Sequence, residues 1–244
     1  VPVLAAGAAG QLAALLAACD TVVSGLLNES PQTVVCVGSG PLTRRFSDTA
    51  WGTLAGYGVA VEAPARHDDG EEPELPLSLT IGRWLLDRVG WSGDVLLQTV
   101  DSGRAGRSGS SAGSGSSAAD CAELGRALEA EAGSQAVWLV LGDGTNRRGP
   151  SSPGHDDPRA PGFDALVADA LARADLDAIL GLDAGLAAEL GVGGRAAWQV
   201  LAGGVQATHS AEVPGAFAAT IESAVHYDAA PFGVEYLVAD WRFR

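Results

Sequence analysis

Three short apolar runs constrain this chain more than any other feature: Thr33–Val37 (TVVCV), Asp94–Val100 (DVLLQTV) and Ala136–Leu141 (AVWLVL). Each is rich in β-branched residues and shows no polar alternation, the pattern of a strand covered on both faces. Segments of helical spacing lie between them. Leu12, Leu15, Leu16, Cys19, Val22, Val23 and Leu26 mark a first amphipathic helix, Leu77–Val89 a second, and a helix capped at or near Asp120 runs to Ala132. Strands separated by helices pair in parallel through crossovers that lay the helices on the sheet. The expectation is a single α/β domain over 1–244, with a central mostly parallel or mixed sheet and helices on both faces.

The C-terminal third changes style. Phe163, Leu166, Val167, Ala170, Leu171 and Ala174 predict a helix, Asp175 caps a short one through Leu180, and Leu186–Leu190 forms another. Arg195–Val205 is a further helix, followed by strands over Ala216–Tyr227 and Val234–Trp241. Tyr57–Val61 is a weaker strand candidate. Residues 102–117 collapse to Gly, Ser and Ala with two Arg, which reads as a flexible surface insertion within the domain.

Composition narrows the partners. A formal charge of −15, with 30 acidic against 15 basic residues, opposes binding to a polyanion, so nucleic acid is not expected. No apolar run approaches the roughly 20 residues that span a bilayer; Leu12–Leu27 is broken by Cys19, Asp20, Thr21 and Ser24. Cys19, Cys36 and Cys121 are odd in number and lack paired spacing, which fits a reduced, cytoplasmic setting.

The main chemical lead is Gly142–Gly149 (GDGTNRRG), directly after the 136–141 strand. Loops at the carboxyl ends of strands are where α/β sheets hold ligands. Asp143, Thr145, Asn146, Arg147 and Arg148 put a carboxylate, a hydroxyl, an amide and two guanidinium groups there, a candidate pocket for a small aromatic or anionic ligand. A tight turn with an Asp bonding its own backbone is the plainer alternative. The phosphate-loop pattern is absent, and the GSG at Gly38–Gly40 lacks the remaining dinucleotide-binding features.

A mononuclear iron(II) site needs two His and a carboxylate on one face. Of His67, His155, His209 and His226, none forms an HxH or HxxxH pair. His67, His155 and Asp143 form a weak long-range candidate set, and His226 shares strand parity with Glu222 and Asp228 on what reads as a solvent-facing stripe. There is no GxSxG elbow and no cysteine in an electropositive loop.

Taken in order, GDGTNRR (142–148), DPRAPGFDALV (157–167), ELGVGGRAAWQVLAGG (189–204) and YDAAPFGVEYLVADW (227–241) resemble the class III extradiol dioxygenase B-subunit superfamily. This LigB-like group includes the MEMO-like proteins, and the likeness is closest to its small bacterial members. VPVLAAGAAGQL, VVCVGSGP and LPLSLTIGRWLL carry a looser likeness in the N-terminal half. The resemblance implies an α/β fold that binds non-haem iron(II) through two His and a Glu and opens catechol-type rings with dioxygen, a further His acting as acid–base. The departures are large. Asn146 follows GDGT where the acid–base His is expected, and GSGPLTRRF holds no His where a ligand is expected. The resemblance would put the first ligand His in a His-Pro-Pro-type motif upstream of Val1, and Glu235 lies near a position where some relatives carry a ligand. An amide cannot shuttle a proton near neutral pH.

The resulting expectation is a LigB-like protein with lost or altered catalysis that binds a small molecule at the loop after the 136–141 strand, with Fe(II) only if the family chemistry is retained. The alternatives are an active non-haem metal-dependent oxygenase or hydrolase with a non-standard site, and a non-catalytic subunit or scaffold in a homo- or hetero-oligomer.

Overall fold

In a computed structural model of the chain, which describes residues 10, 12–67, 73–103, 115–210 and 220–244, the three apolar runs become neighbouring strands of one sheet. Along the chain the first half comprises α1 (Ala13–Leu27), β1 (Thr33–Gly40), β2 (Arg44–Phe46), β3 (Gly52–Thr53), β4 (Glu62–Ala63), α2 (Leu77–Arg88) and β5 (Asp94–Asp101). The second half comprises α3 (Ala118–Ala132), β6 (Ala136–Leu141), α4 (Ala160–Arg173), α5 (Leu176–Leu180), α6 (Ala184–Glu189), α7 (Arg195–Ser210), β7 (Ile221–Ala229) and β8 (Tyr236–Phe243). The central sheet has the order β2-β5-β1-β6. β1 is parallel to both β5 and β6, so Cys36 faces Leu97 on one side and Leu139 on the other, and β2 adds antiparallel to β5. The chain is therefore an α/β protein with a mixed central sheet flanked by helices.

Strand parity sorts the core into two faces. Val34 and Cys36, with Val95, Leu97 and Leu139, pack under α1 and α2 against Val23, Leu79 and Leu86. Val35 and Val37, with Val100, pack under α3 and α7 against Cys121, Leu128, Ala197 and Val200. Because successive strand residues point to opposite faces, an unbroken apolar run requires both layers. The α3–α7 contact is close because it is built from small residues: a Cβ at Gly125 would run into the Val200 carbonyl and the Gly204 amide. A third apolar cluster joins α4, α5 and α7 through Phe163, Val167, Leu171, Ile179 and Trp198, with Leu237 and Trp241 of β8 laid against it.

Several local expectations shift. β1 runs past Val37 through Gly38–Gly40, and the segment after it turns back as β2. Residues 55–57 form a 3-10 turn, and the paired strand residues begin only at Glu62. The buried stripe of α4 is Phe163, Asp164, Val167, Ala170 and Leu171, while Leu166 stands 50% exposed. The stripe is thus rotated to include an aspartate that periodicity in apolar residues passes over. α7 extends to Ser210, so His209 is helical, and the late strands run Ile221–Ala229 and Tyr236–Phe243. Of the Gly/Ser-rich stretch 102–117, residues 104–114 lie outside the described residues, whereas its flanks are built in. Ser117 caps α3 through a capping box with Asp120, and the Ser116 carbonyl accepts from Arg195 Nη2 at 2.8 Å. Among the described residues no helix is long and apolar enough to cross a membrane.

Candidate functional site

The loop after β6 is anchored before it presents anything. The Gly194 amide donates to the Asp143 carbonyl at 2.9 Å, where a Cβ on Gly142 would strike Gly194. Thr145 is fully buried; its amide and hydroxyl donate to the two oxygens of Asp164 at 3.0 and 2.5 Å. Asn146 sits against Gly154 and Gly191, where any side chain would collide with its amide, and its Oδ1 is buried without a donor. Arg147 turns back on the loop and donates to the Gly154 carbonyl. Arg148 points the other way, ion-paired with Glu235 and 3.8 Å from Asp164. Asp143 is exposed, and its negative charge reaches Tyr236. The five polar residues therefore divide: Thr145, Asn146 and Arg147 hold the loop together, and Arg148 joins a carboxylate cluster.

That cluster gathers Asp164 from α4, Glu235 at the entry to β8 and Asp228 from β7. Two main-chain bonds seat it: the Glu235 amide donates to the Thr145 carbonyl at 2.9 Å, and the Arg148 amide donates to the Gly233 carbonyl at 3.1 Å. Gly144 permits the close approach, since a Cβ there would meet the Glu235 side chain. The Glu235 side chain is 5% exposed. One of its oxygens, Oε2, accepts from Arg148; the other, Oε1, is buried and receives no hydrogen bond from a donor group. The group beside Glu235 is the Asp228 carboxyl, itself an acceptor, so the two bond only when a proton lies between them. Burial and this Asp228 contact push Glu235 up to about 7, against the pull of Arg148. Burial likewise raises Asp164, although the Thr145 hydrogen bonds and Arg148 oppose it.

Below the cluster lies a cavity of about 920 Å³. Among the described residues β6 pairs only with β1 and β8 only with β7, and residues of both strands line the cavity. The lining is largely apolar, including Val140, Val167, Leu171, Leu237 and the rings of Trp138 and Trp198. Asp164 and Glu235 close the end next to Gly142 and Gly144, so the polar group of the site meets the apolar space at the carboxyl end of β6.

The histidines do not gather here. His67 stacks flat on Trp51, with ring centroids 3.8 Å apart, and lies 3.2 Å from Glu62. His226 occupies the extra position of a β-bulge in β7 and bonds Asp240 at 2.7 Å. His155 sits in the 149–157 loop with a left-handed backbone (φ 64°). Among the described residues no three of His, Cys, Asp and Glu converge in a way that could hold a metal ion. The described residues therefore do not supply the two-His, one-carboxylate set that iron(II) requires. Burial pushes the Cys36 thiol up to about 12 and Cys121 up to about 11, so neither offers a thiolate near neutral pH.

Asp164 and Asp228 were outside the set expected from sequence. Asp164 was detectable: it shares the apolar stripe of α4 with Val167 and Leu171 at i+3 and i+7, and a carboxylate on a buried face requires partners. Asp228 had no such signal, because its role depends on where the hairpin docks. Comparison of the sequence with models of protein families finds no match, and comparison with curated proteins finds none.

Proposed function

We propose that this chain binds a small, largely apolar molecule in the cleft between β6 and β8, and that it is a LigB-like protein whose ring-cleaving chemistry is lost or altered. The observation that carries the binding reading is the cavity of about 920 Å³ whose apolar walls end at a buried carboxylate pair. Ligand sites of α/β proteins combine this kind of apolar volume with a few convergent polar groups beyond strand carboxyl ends. The mixed α/β sheet agrees in class with what the resemblance implies, and the order of the matching segments supports the kinship. The absence of a converging ligand set among the described residues, together with Asn146 in place of an acid–base His, supports binding without the family's reaction. No step through iron is assigned.

The test is a tryptophan-fluorescence titration of the full chain with neutral apolar ligands such as naphthalene and 1-octanol. Saturable quenching or a blue shift is expected, because Trp138 and Trp198 line the space. Linear, non-saturating behaviour with every ligand would remove the binding reading.

A further inference from the structure

Resting on the cleft reading above, we infer that the ligand carries a cationic hydrogen-bond donor, a primary or secondary ammonium, seated on Glu235 Oε1 with its apolar body running between β6 and β8. Three observations converge on this class. Oε1 is a buried acceptor without a donor at the wall of an apolar cavity, on a side chain 5% exposed. Such an atom bears the full cost of lost hydration until a donor reaches it. The charges around it are also unbalanced: Asp164 from α4, Asp228 from β7 and Glu235 itself face a single guanidinium, Arg148 from the loop. Finally, the buried acceptors beside Oε1 are taken, and the remaining carboxyl of the cluster, Asp228, is exposed to solvent. Both Asp164 oxygens accept from Thr145, and Oε2 of Glu235 accepts from Arg148.

Chemistry then selects among ligand heads. A carboxylate or phosphate would enter a cluster already in excess of negative charge, with Arg147 turned to the Gly154 carbonyl and Arg148 engaged by Glu235. An alcohol would satisfy Oε1 but leave the charge excess in place. A divalent cation lacks a converging ligand set among the described residues. An ammonium supplies both the donor and the missing positive charge. In its absence burial, together with a proton shared between Glu235 and Asp228, keeps Glu235 neutral up to about pH 7. Ligand and proton therefore compete for one place, and ammonium affinity rises as pH increases through this value.

The experiment is isothermal titration calorimetry of the full chain with octylamine, 1-octanol and octanoate at about pH 8, where Glu235 is ionised. Octylamine is expected to bind at least about tenfold more tightly than octanol, with octanoate the weakest. Because the chain carries −15 overall, a diffuse preference for cations would persist in Glu235→Gln; the inference requires that this variant bind octylamine and octanol alike. An independent measurement on the unmodified chain uses buffers of different ionisation enthalpy at about pH 6, where amine binding should release a proton and octanol binding should not. If octanol binds as well as octylamine, or the amine releases no proton, the ammonium inference is overturned and the cleft reading stands. If none of the three binds, the cleft reading itself fails.

Discussion

Replacing Glu235 with Gln should change how stability depends on pH more than it changes stability at any one pH. In the folded chain Glu235 holds its proton up to about 7, against an ordinary value of 4.5. Between those values the folded protein binds more protons than the unfolded chain, so stability falls as pH rises. The contribution is complete below about 4.5 and lost as pH climbs through about 7. A rise of this size corresponds to about 3 kcal/mol, at about 1.4 kcal/mol per tenfold change in proton affinity. Arg148 is partly exposed and Asp228 is exposed, and solvent screening reduces the figure to about 1–2 kcal/mol. Gln keeps the shape of the protonated acid but cannot ionise, so E235Q should gain on the parent by that amount between about pH 5 and about pH 8. Urea unfolding followed by tryptophan fluorescence, at matched ionic strength, measures the gap directly. A gap that stays constant across this range, or that closes as pH rises, would refute the argument that Glu235 is neutral by burial and by its carboxyl neighbour.

Other consequences are as direct. Asp164→Ala strands the buried amide and hydroxyl of Thr145 together, and should cost about 2–4 kcal/mol in chemical denaturation. Gly125→Ala drives a methyl group into the α7 backbone and should destabilise the chain by at least about 1–3 kcal/mol, visible as a lower Tm. Ser117→Ala removes the capping box of α3 and should cost about 1 kcal/mol in chemical denaturation. Cys36 and Cys121 should react with a thiol reagent at neutral pH only after unfolding, because burial raises both thiols.

The central layers were legible in the sequence because local rules govern them. β-branched runs without polar interruption require cover on both faces, and the helical spacing between them supplies it; Val34 and Cys36 then face one layer and Val35 and Val37 the other. Asp175 as a helix cap was likewise readable, since the cap and the Ala178 amide it accepts from are three residues apart. The loop after β6 was found for the same reason, as a polar segment at a strand's carboxyl end. What that loop does was decided by tertiary structure. Its arginines are claimed by Gly154 and Glu235, and its threonine by an aspartate 19 residues away. Glu235 meets Asp164 and Asp228 only because the β7–β8 hairpin docks against α4 and the loop. Short-range periodicity reports which face a residue lies on, whereas the charge balance of a buried cluster depends on groups brought together from distant segments. Burial together with that balance, rather than any motif, sets the proton affinity of Glu235, and the proposed ammonium ligand rests on the same balance.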